Sequence, residues 1–205
     1  MTPRRYTLGR RQQTADETRA RIIGAARTLL AEADGGRAFT IDGVAREADV
    51  TRVTVYQHFE TKQRLLGAVL DQLATEGGLP GMRAALADAP PEQALDQVVA
   101  TIVRFWASDR TLHRHLGALA DIDPELRDIV HERRERRRAT ITLALSRVDP
   151  ELTNSPARMT EAVDAVFALT SPTMLDALAG QRRSVARITQ IVQRLARAAI
   201  PPESG

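Results

Sequence analysis

Apolar residues recur at intervals of three and four positions along almost the whole chain. This spacing places them on one face of an α-helix, whereas a half-buried β-strand requires alternation at every second residue. No stretch of the sequence alternates cleanly in that way. With 43% hydrophobic side chains among 205 residues, the chain has enough apolar material to fill a core. The pattern therefore predicts an all-α protein.

The segment TIDGVAREADVTRVTVYQHF, residues 40–59, predicts two short helices joined by a tight turn. Thr40 and Thr51 are expected to cap these helices, because a threonine hydroxyl accepts a hydrogen bond from an amide of the first helical turn. Two such helices cross closely only where the facing residue is small, as Ala45 is. The turn needs a residue that tolerates a left-handed backbone, as Asp49 does. This is the spacing of a helix-turn-helix, whose second helix enters the major groove of DNA.

One amphipathic helix is predicted ahead of this segment and a fourth helix after Thr61. The capping-box pattern of residues 14–17 is expected to open the first helix, and Asp34-Gly35-Gly36 to end it. The residues before it predict a basic arm that adds minor-groove or backbone contacts to DNA. The arginines of this arm are Arg4, Arg5, Arg10 and Arg11.

Glycine and proline interrupt the helical pattern between residues 76 and 91, and longer helices follow. We predict helices over residues 91–108, 109–120, 123–148 and 184–200, and one from Ser155 that ends or kinks at Pro172. The sequence thus predicts two domains. Residues 1–64 form the helix-turn-helix domain with its basic arm, and residues 65–205 form a larger helical domain.

Charge and cysteine content limit the partners and the compartment. Residues 1–64 hold 12 Arg or Lys against 8 Asp or Glu, a net charge of +4, whereas the remainder holds 17 against 18, a net of −1. A polyanion would therefore bind the first third of the chain. The absence of cysteine excludes disulfides and thiolate metal sites. Neither a secretory signal nor a run of roughly 18 to 20 apolar residues is found, so we expect a cytoplasmic protein with no membrane partner.

Residues 18–70 closely resemble the DNA-binding domain of the tetracycline-repressor (TetR) family of bacterial regulators. The shared features are an amphipathic first helix, Thr40 before the second helix, Val50-Thr51 at the start of the third, Tyr56 with Phe59, and Lys62 opening the fourth. Family members often carry glycine at the positions of Asp49 and Val53. Val53 instead offers branched methyl groups to the groove, where they can touch a thymine methyl. The resemblance implies a homodimeric repressor that a small apolar or amphipathic effector releases from a palindromic operator.

The resemblance also implies two kinds of DNA contact around the third helix, which Thr51 caps. The residues expected to hold phosphates are Thr40, Tyr56, His58 and Lys62, and those expected to face base edges are Arg52, Val53, Thr54 and Gln57. Their chemistry is consistent, because Arg52 can present a bidentate fork to guanine and Gln57 can pair with adenine. In the alternative interpretation, Thr40 and Thr51 are merely helix caps and Tyr56 is merely core. Phe59 is assigned to the core, since its spacing faces the first helix.

An arginine in an apolar helix face suggests a ligand site. Arg137 lies at the centre of the face formed by Leu126, Val130, Ile141, Ala144 and Val148, and a buried guanidinium needs an anionic or carbonyl partner. The resemblance places the effector cavity among the central helices, where we expect Phe105, Trp106 and Phe167 beside Arg137. The alternative is that Arg137 pairs with an acid of a neighbouring helix or extends to water.

The terminal helix predicts a dimer interface. Its apolar residues at coiled-coil-like intervals are Ile188, Ile191, Val192 and Leu195, and the helix near residues 157–171 is expected to join them. One short reading helix contacts only a few base pairs, so useful specificity requires two. The alternative is that these residues fill the core of a single subunit.

No catalytic residue, metal site or cofactor is predicted. The histidines of the later helices lack a second ligand one helical turn away, and neither a nucleophile–base pair nor a phosphate-binding loop is recognisable. Two other functions stay open. One is an enzyme or transport carrier whose basic amino-terminal region is incidental, and the other is a ligand-independent DNA-binding regulator whose second domain only dimerises.

Overall fold

The computed structural model describes residues 4–32, 39–180 and 182–202, with side chains from residue 12 onward. These residues form eleven α-helices and two short 3-10 turns and contain no strand, which confirms the all-α prediction. The helices are α1 Arg4–Ala31, α2 Ile41–Glu47, α3 Arg52–Phe59, α4 Lys62–Glu76, α5 Met82–Asp88, α6 Ala94–Ser108, α7 Arg110–Ile122, α8 Pro124–Val148, α9 Pro156–Leu169, α10 Pro172–Ala179 and α11 Val185–Ala198.

Helix α1 begins well before the predicted start. The prediction of an N-terminus at residues 14–17 is wrong, because the helix already runs from Arg4 and the hydroxyl of Thr18 donates to the carbonyl of Thr14 within it. The segment before Thr14 consists largely of good helix formers, and its single glycine costs only about 1 kcal/mol. The arm is therefore helical from Arg4 onward. Its arginine side chains and the predicted helix end at Asp34-Gly35-Gly36 lie outside the described residues.

The connection between α2 and α3 has the predicted helix-turn-helix geometry. The hydroxyl of Thr40 accepts from the amide of Gly43 at 3.0 Å, and that of Thr51 accepts from the amide of Thr54 at 3.1 Å. Asp49 has a positive φ of 51°, the left-handed conformation that the turn requires. Ala45 is buried at the helix crossing. Both caps and the turn residue are thus confirmed.

Packing groups the described residues into two compact units. The first unit comprises residues 1–72 and 115–127, and the second comprises residues 73–114 and 128–205. The division predicted at residues 64 and 65 concerns function and stays a prediction; in the structure, residues 65–72 and 115–127 group with the helix-turn-helix. These segments contribute the buried leucines Leu65, Leu66, Leu116, Leu119 and Leu126.

The second unit has its own continuous apolar core. Its buried residues include Leu95, Val98, Val99, Ile102, Ile141, Leu145, Leu152, Val166 and Leu175. The predicted break at Pro172 is confirmed, since α9 ends at Leu169 and α10 begins at Pro172 with a bend of 47° between them. Within the described ranges, no single helix is long and apolar enough to cross a membrane, although α9 and α10 together meet that length and composition across their bend.

Candidate DNA-binding surface and effector region

Helix α3 buries one face and exposes the other. Val55 and Phe59 are 1% and 3% exposed, which confirms Phe59 as core. The solvent-facing side carries Arg52, Val53, Tyr56 and Gln57, with Thr54 and His58 half-buried. Val53 is 64% exposed, although burial of a branched apolar side chain is favourable. The helix therefore presents to solvent three of the four side chains predicted to face base edges, Arg52, Val53 and Gln57, while Thr54 is half-buried.

The hydroxyl of the capping residue Thr40 still has a hydrogen to donate. Thr40 and Thr51 are exposed and use their hydroxyl oxygens as acceptors for the helix amides. The Thr51 hydroxyl also lies 2.8 Å from that of Thr54. A hydroxyl that accepts at its oxygen still has a proton to give. The capping role and a phosphate contact by Thr40 are therefore compatible.

Arg52 is held by two side chains of the same surface. Its Nη1 donates to the Oδ1 and Oδ2 atoms of Asp42 at 3.2 and 3.0 Å, and its Nη2 donates to the hydroxyl of Tyr56 at 3.4 Å. The hydrogen bond with Tyr56 and the charge of Asp42 raise the pKa of Arg52. Asp42 is not among the residues predicted from the sequence, because its place in the first turn of α2 identifies it only as an acid near a helix N-terminus.

Tyr56 and His58 lie at the edge of this exposed face. Tyr56 is 38% exposed, so its predicted role as mere core is not what the structure shows. The carbonyl of His58 accepts from Nη1 of Arg19 at 3.4 Å. The guanidinium carbon of Arg19 lies 4.3 Å from the centroid of the Phe59 ring. Helix α1 thereby braces the end of α3.

Lys62, the first residue of α4, already has an acidic partner. Its Nζ lies 3.0 Å from Oδ2 of Asp123, and the two side chains are 34% and 16% exposed. Oδ1 of Asp123 accepts from the amides of Glu125 and Leu126 and so caps α8. Burial opposes ionisation of Asp123, but the hydrogen bonds from Lys62 and the two amides outweigh it and lower its pKa.

The predicted effector residues meet in the second unit. The guanidinium carbon of Arg137 lies 3.8 Å from the Phe167 ring centroid and 5.8 Å from that of Trp106. Phe105 and Trp106 have ring centroids 4.6 Å apart. The carbonyl of Thr170, freed where α9 breaks, accepts from Nη1 of Arg137 at 3.1 Å and from Nε1 of Trp106 at 3.0 Å.

The environment of Arg137 has no carboxylate in contact among the described residues. Its Nε is buried without a hydrogen bond, and its Nη1 donates to a neutral carbonyl. Burial, together with the charges of Arg134 and Arg138, lowers the pKa of Arg137 to about 10. The alternative partner, an acid of a neighbouring helix, is therefore not found, and a helix-end carbonyl takes its place.

A cavity lies beside this cluster rather than inside it. The wall residues on α6 and α7 include Trp106, Arg110 and His113, and those on α10 and the start of α11 include Leu175, Asp176 and Ile188. Asp176 accepts from Nη2 of Arg110 at 2.6 Å, and the buried ring of His113 packs 4.8 Å from that of Trp106. Among the predicted effector residues, Trp106 lines this cavity. The other wall residues are separated along the chain by up to 85 positions, from Val103 to Ile188, and no local pattern marks them.

Helix α11 gives its four predicted interface residues two different roles. Ile188 and Val192 are 5% and 0% exposed and belong to the core of the second unit, so their assignment to a partner surface is corrected. The positions spaced by four, Ile188, Val192 and Ala196, share the buried face. Ile191 and Leu195 lie on the adjacent face and are half-buried.

Within the described part of the chain, no group of three or more His, Asp or Glu side chains is arranged to hold a metal ion. His113 and His115 instead contact carbonyl oxygens, those of Phe105 and Leu30, at 3.1 and 3.0 Å.

The all-helical fold and the exposed face of α3 define a protein of the helix-turn-helix DNA-binding class. Residues 22–69 match the family described as "Bacterial regulatory proteins, tetR family", so this segment resembles the amino-terminal domain of that family. Over 77 residues it is 42% identical to the HTH-type transcriptional repressor Rv3405c of Mycobacterium tuberculosis. The alignment covers 37% of this chain and 40% of that relative, so it spans well under half of either protein.

Solved structures extend the similarity of fold to the second unit. The alignment with the multidrug binding protein EbrR, complexed with imidazole, covers 92% of this chain and 93% of EbrR, with a TM-score of 0.57 and 26% identity. A TetR transcription regulator from Haloarcula marismortui covers 90% and 97%, with a TM-score of 0.67 and 15% identity. The predicted family resemblance is confirmed. The family that residues 22–69 match is one of regulatory proteins, in keeping with the prediction of a regulator.

Proposed function

We propose that the chain is a homodimeric transcriptional repressor that binds a palindromic operator in the cytoplasm and is released by a small apolar or amphipathic effector. The observation that carries this proposal is the exposed face of α3. It combines a guanidinium, an amide and a solvated valine beside two threonine caps. This combination suits the major groove, where base edges offer acceptors, donors and thymine methyl groups.

In the proposed complex, α3 reads bases while its surroundings hold the backbone. Arg52, Val53 and Gln57 are its exposed base-facing residues, and Thr54 and the cap Thr51 stand beside them. The proposed phosphate ligands are Thr40, Tyr56, His58 and Lys62. Phosphate contacts fix the register of the protein on DNA, and base contacts supply the specificity.

A homodimer follows from the size of the reading element. Helix α3 has eight residues and reaches only a few base pairs, so two copies are needed for a selective site. We assign the interface to Ile191 and Leu195 of α11 together with the exposed side of α9. These two side chains are half-buried, and neither belongs to the core cluster that contains Ile188 and Val192.

The proposed effector region lies around Trp106. This side chain lines a cavity whose wall is formed by apolar side chains, arginines and Asp176, which Arg110 pairs. Arg137 and Phe105 lie next to Trp106, and Phe167 packs against Arg137, but none of these three lines the cavity. An arginine without a carboxylate in contact suits an effector that has an acidic or carbonyl group on an apolar body. The relative EbrR is a multidrug binding protein complexed with imidazole, which supports a ligand-responsive second domain.

One observation favours the ligand-independent alternative. Trp106 packs against Phe105, and Arg137 packs against Phe167 and Trp106. Trp106 and Arg137 both donate to the Thr170 carbonyl, so the cluster fills its space instead of surrounding it. A second domain of that kind would dimerise without responding to a ligand. Loss of DNA binding on addition of a small molecule separates the two functions.

The direct test is an electrophoretic mobility shift with the full-length chain and the labelled duplex from immediately upstream of its own gene. We expect a discrete complex that the same unlabelled duplex removes and that an unrelated duplex of equal length and base composition does not. Equal removal by both competitors would reject sequence-specific binding.

A further inference from the structure

A carboxylate stands on the surface that faces DNA in the proposed complex. The side chain of Asp42 is 62% exposed and contacts that of Arg52, which is 57% exposed. An acid at this place repels the phosphate backbone and weakens binding to every DNA sequence. A favourable contribution of Asp42 to DNA recognition would therefore come from discrimination between bases.

We propose that Asp42 is a specificity-determining residue that positions Arg52 for one guanine of each half-site. The proposal rests on the DNA-binding function above. Asp42 contacts Nη1 through both carboxylate oxygens, and Tyr56 contacts Nη2 from the next turn of α3. A guanidinium held at two of its three nitrogens has fewer accessible rotamers before DNA binds. A preorganised fork reads a base more selectively than a mobile one.

The positioned guanidinium still has donors for a base. Arginine has five N–H groups, and contacts to two carboxylate oxygens and one hydroxyl engage at most three of them. The two that remain match the N7 and O6 acceptors of guanine. Arg52 can therefore read guanine without breaking its bond to Asp42.

Two simpler roles for Asp42 predict different behaviour. As an acid in the first turn of α2, Asp42 would stabilise the helix by interacting with its dipole, and its removal would change only the folding stability. As an exposed ion pair, it would contribute little to folding. Neither role changes which base is preferred at one operator position. Base preference is thus the measurement that isolates positioning.

The experiment selects 24-base-pair duplexes with a randomised centre using full-length wild-type protein, and then measures affinities by fluorescence anisotropy. The probes are the selected duplex and its variants with each guanine replaced by adenine. Asp42→Asn is compared with Glu47→Gln, which removes one negative charge from the same helix at an exposed residue with no contact to Arg52. Arg52→Ala and the double variant Asp42→Asn with Arg52→Ala complete a cycle.

We expect Asp42→Asn to lower discrimination at one guanine of each half-site by roughly 3- to 10-fold while affinity for unrelated duplex stays equal or rises. Glu47→Gln should leave discrimination unchanged, and Asp42→Asn should have no further effect once Arg52 is alanine. Unchanged guanine preference in Asp42→Asn, or the same loss in Glu47→Gln, overturns the positioning role. If wild-type protein enriches no sequence, the proposed function fails first, which is a distinct result.

Discussion

Nζ of Lys62 lies 3.0 Å from Oδ2 of Asp123, so the cation that opens α4 is paired with the acid that caps α8. The two residues are 61 positions apart in the sequence. Lys62 is also one of the proposed phosphate ligands. A phosphate and Asp123 therefore compete for one ammonium group, and both the stability of the protein and its affinity for DNA depend on this pair.

We expect Asp123→Asn to lower the free energy of unfolding by about 1 to 2 kcal/mol at neutral pH. Asparagine still caps a helix, but the charge-assisted hydrogen bond from Lys62 is lost. Because the pKa of Asp123 is lowered on folding, the stabilisation is complete above the unfolded-state pKa of about 3.9 and is lost as the pH falls through the lower folded-state value. Urea unfolding of wild type and variant at neutral pH and below about pH 3 measures how this stabilisation depends on pH. A difference between wild type and variant that stays constant over this range would contradict the ion-pair explanation.

Lys62→Gln should reduce the dependence of DNA affinity on salt. Each phosphate neutralised contributes about −0.9 to the slope of the log association constant against log salt concentration. The slope of the variant should therefore be less steep by about that amount. Affinities measured by anisotropy at several salt concentrations provide the slope. Arg64→Gln, two residues further along α4 and paired with Glu60, serves as the control. An unchanged slope for Lys62→Gln would mean that the ammonium stays with Asp123 on DNA.

Arg52 and Tyr56 should have different effects on recognition. Arg52→Ala is expected to cost roughly 1 to 3 kcal/mol of discrimination at one base position, whereas Tyr56→Ala should weaken binding to all sequences. Tyr56→Phe keeps the ring and removes the hydroxyl that Arg52 contacts at 3.4 Å, so it separates packing from hydrogen bonding. Footprinting and competition with substituted duplexes provide the measurements. Footprints that are unchanged in both alanine variants would exclude α3 as the reading helix.

The double variant Ile191→Asp with Leu195→Asp should sediment as a monomer. Two carboxylates on the half-buried face of α11 would have to be buried against a partner, which is strongly unfavourable. Val192→Ala is the matched control. It lowers the free energy of unfolding by about 1 to 3 kcal/mol, because Val192 is buried in the subunit core, and it leaves the proposed interface intact. Analytical ultracentrifugation and thermal melting distinguish dissociation from unfolding. A dimer that persists in the aspartate variant would move the interface to other helices.

Arg137→Met should leave folding and operator affinity near normal and abolish the response to effector. The variant loses one hydrogen bond to the Thr170 carbonyl, but Trp106 still donates to that oxygen, and the cost of burying the guanidinium disappears. We expect a change in unfolding free energy below about 1 kcal/mol. A panel of apolar carboxylic acids, added to the protein–operator complex in a mobility-shift assay, identifies compounds that release wild-type protein. Release of the variant at the same concentrations would discard the ligand role of Arg137.

The elements set by neighbouring residues were readable from the sequence. The caps at Thr40 and Thr51 and the left-handed Asp49 involve partners within a few positions, so their chemistry is local. The alternation of exposed and buried residues along α3 likewise follows from the helical period, and it correctly placed Phe59 inside and Val53 outside. The fold class and the composition of the reading face were therefore predictable.

Contacts between distant segments were decided only by the tertiary structure. Asp42 meets Arg52 across the turn, Asp123 meets Lys62 across 61 positions, and the Thr170 carbonyl replaces the acid expected for Arg137. Apolar spacing on α11 identified candidate contact positions but not their partners, so Ile188 and Val192 proved to be core, and Ile191 and Leu195 did not. Helical periodicity shows which residues share a face, but the packing of the other helices determines what that face touches.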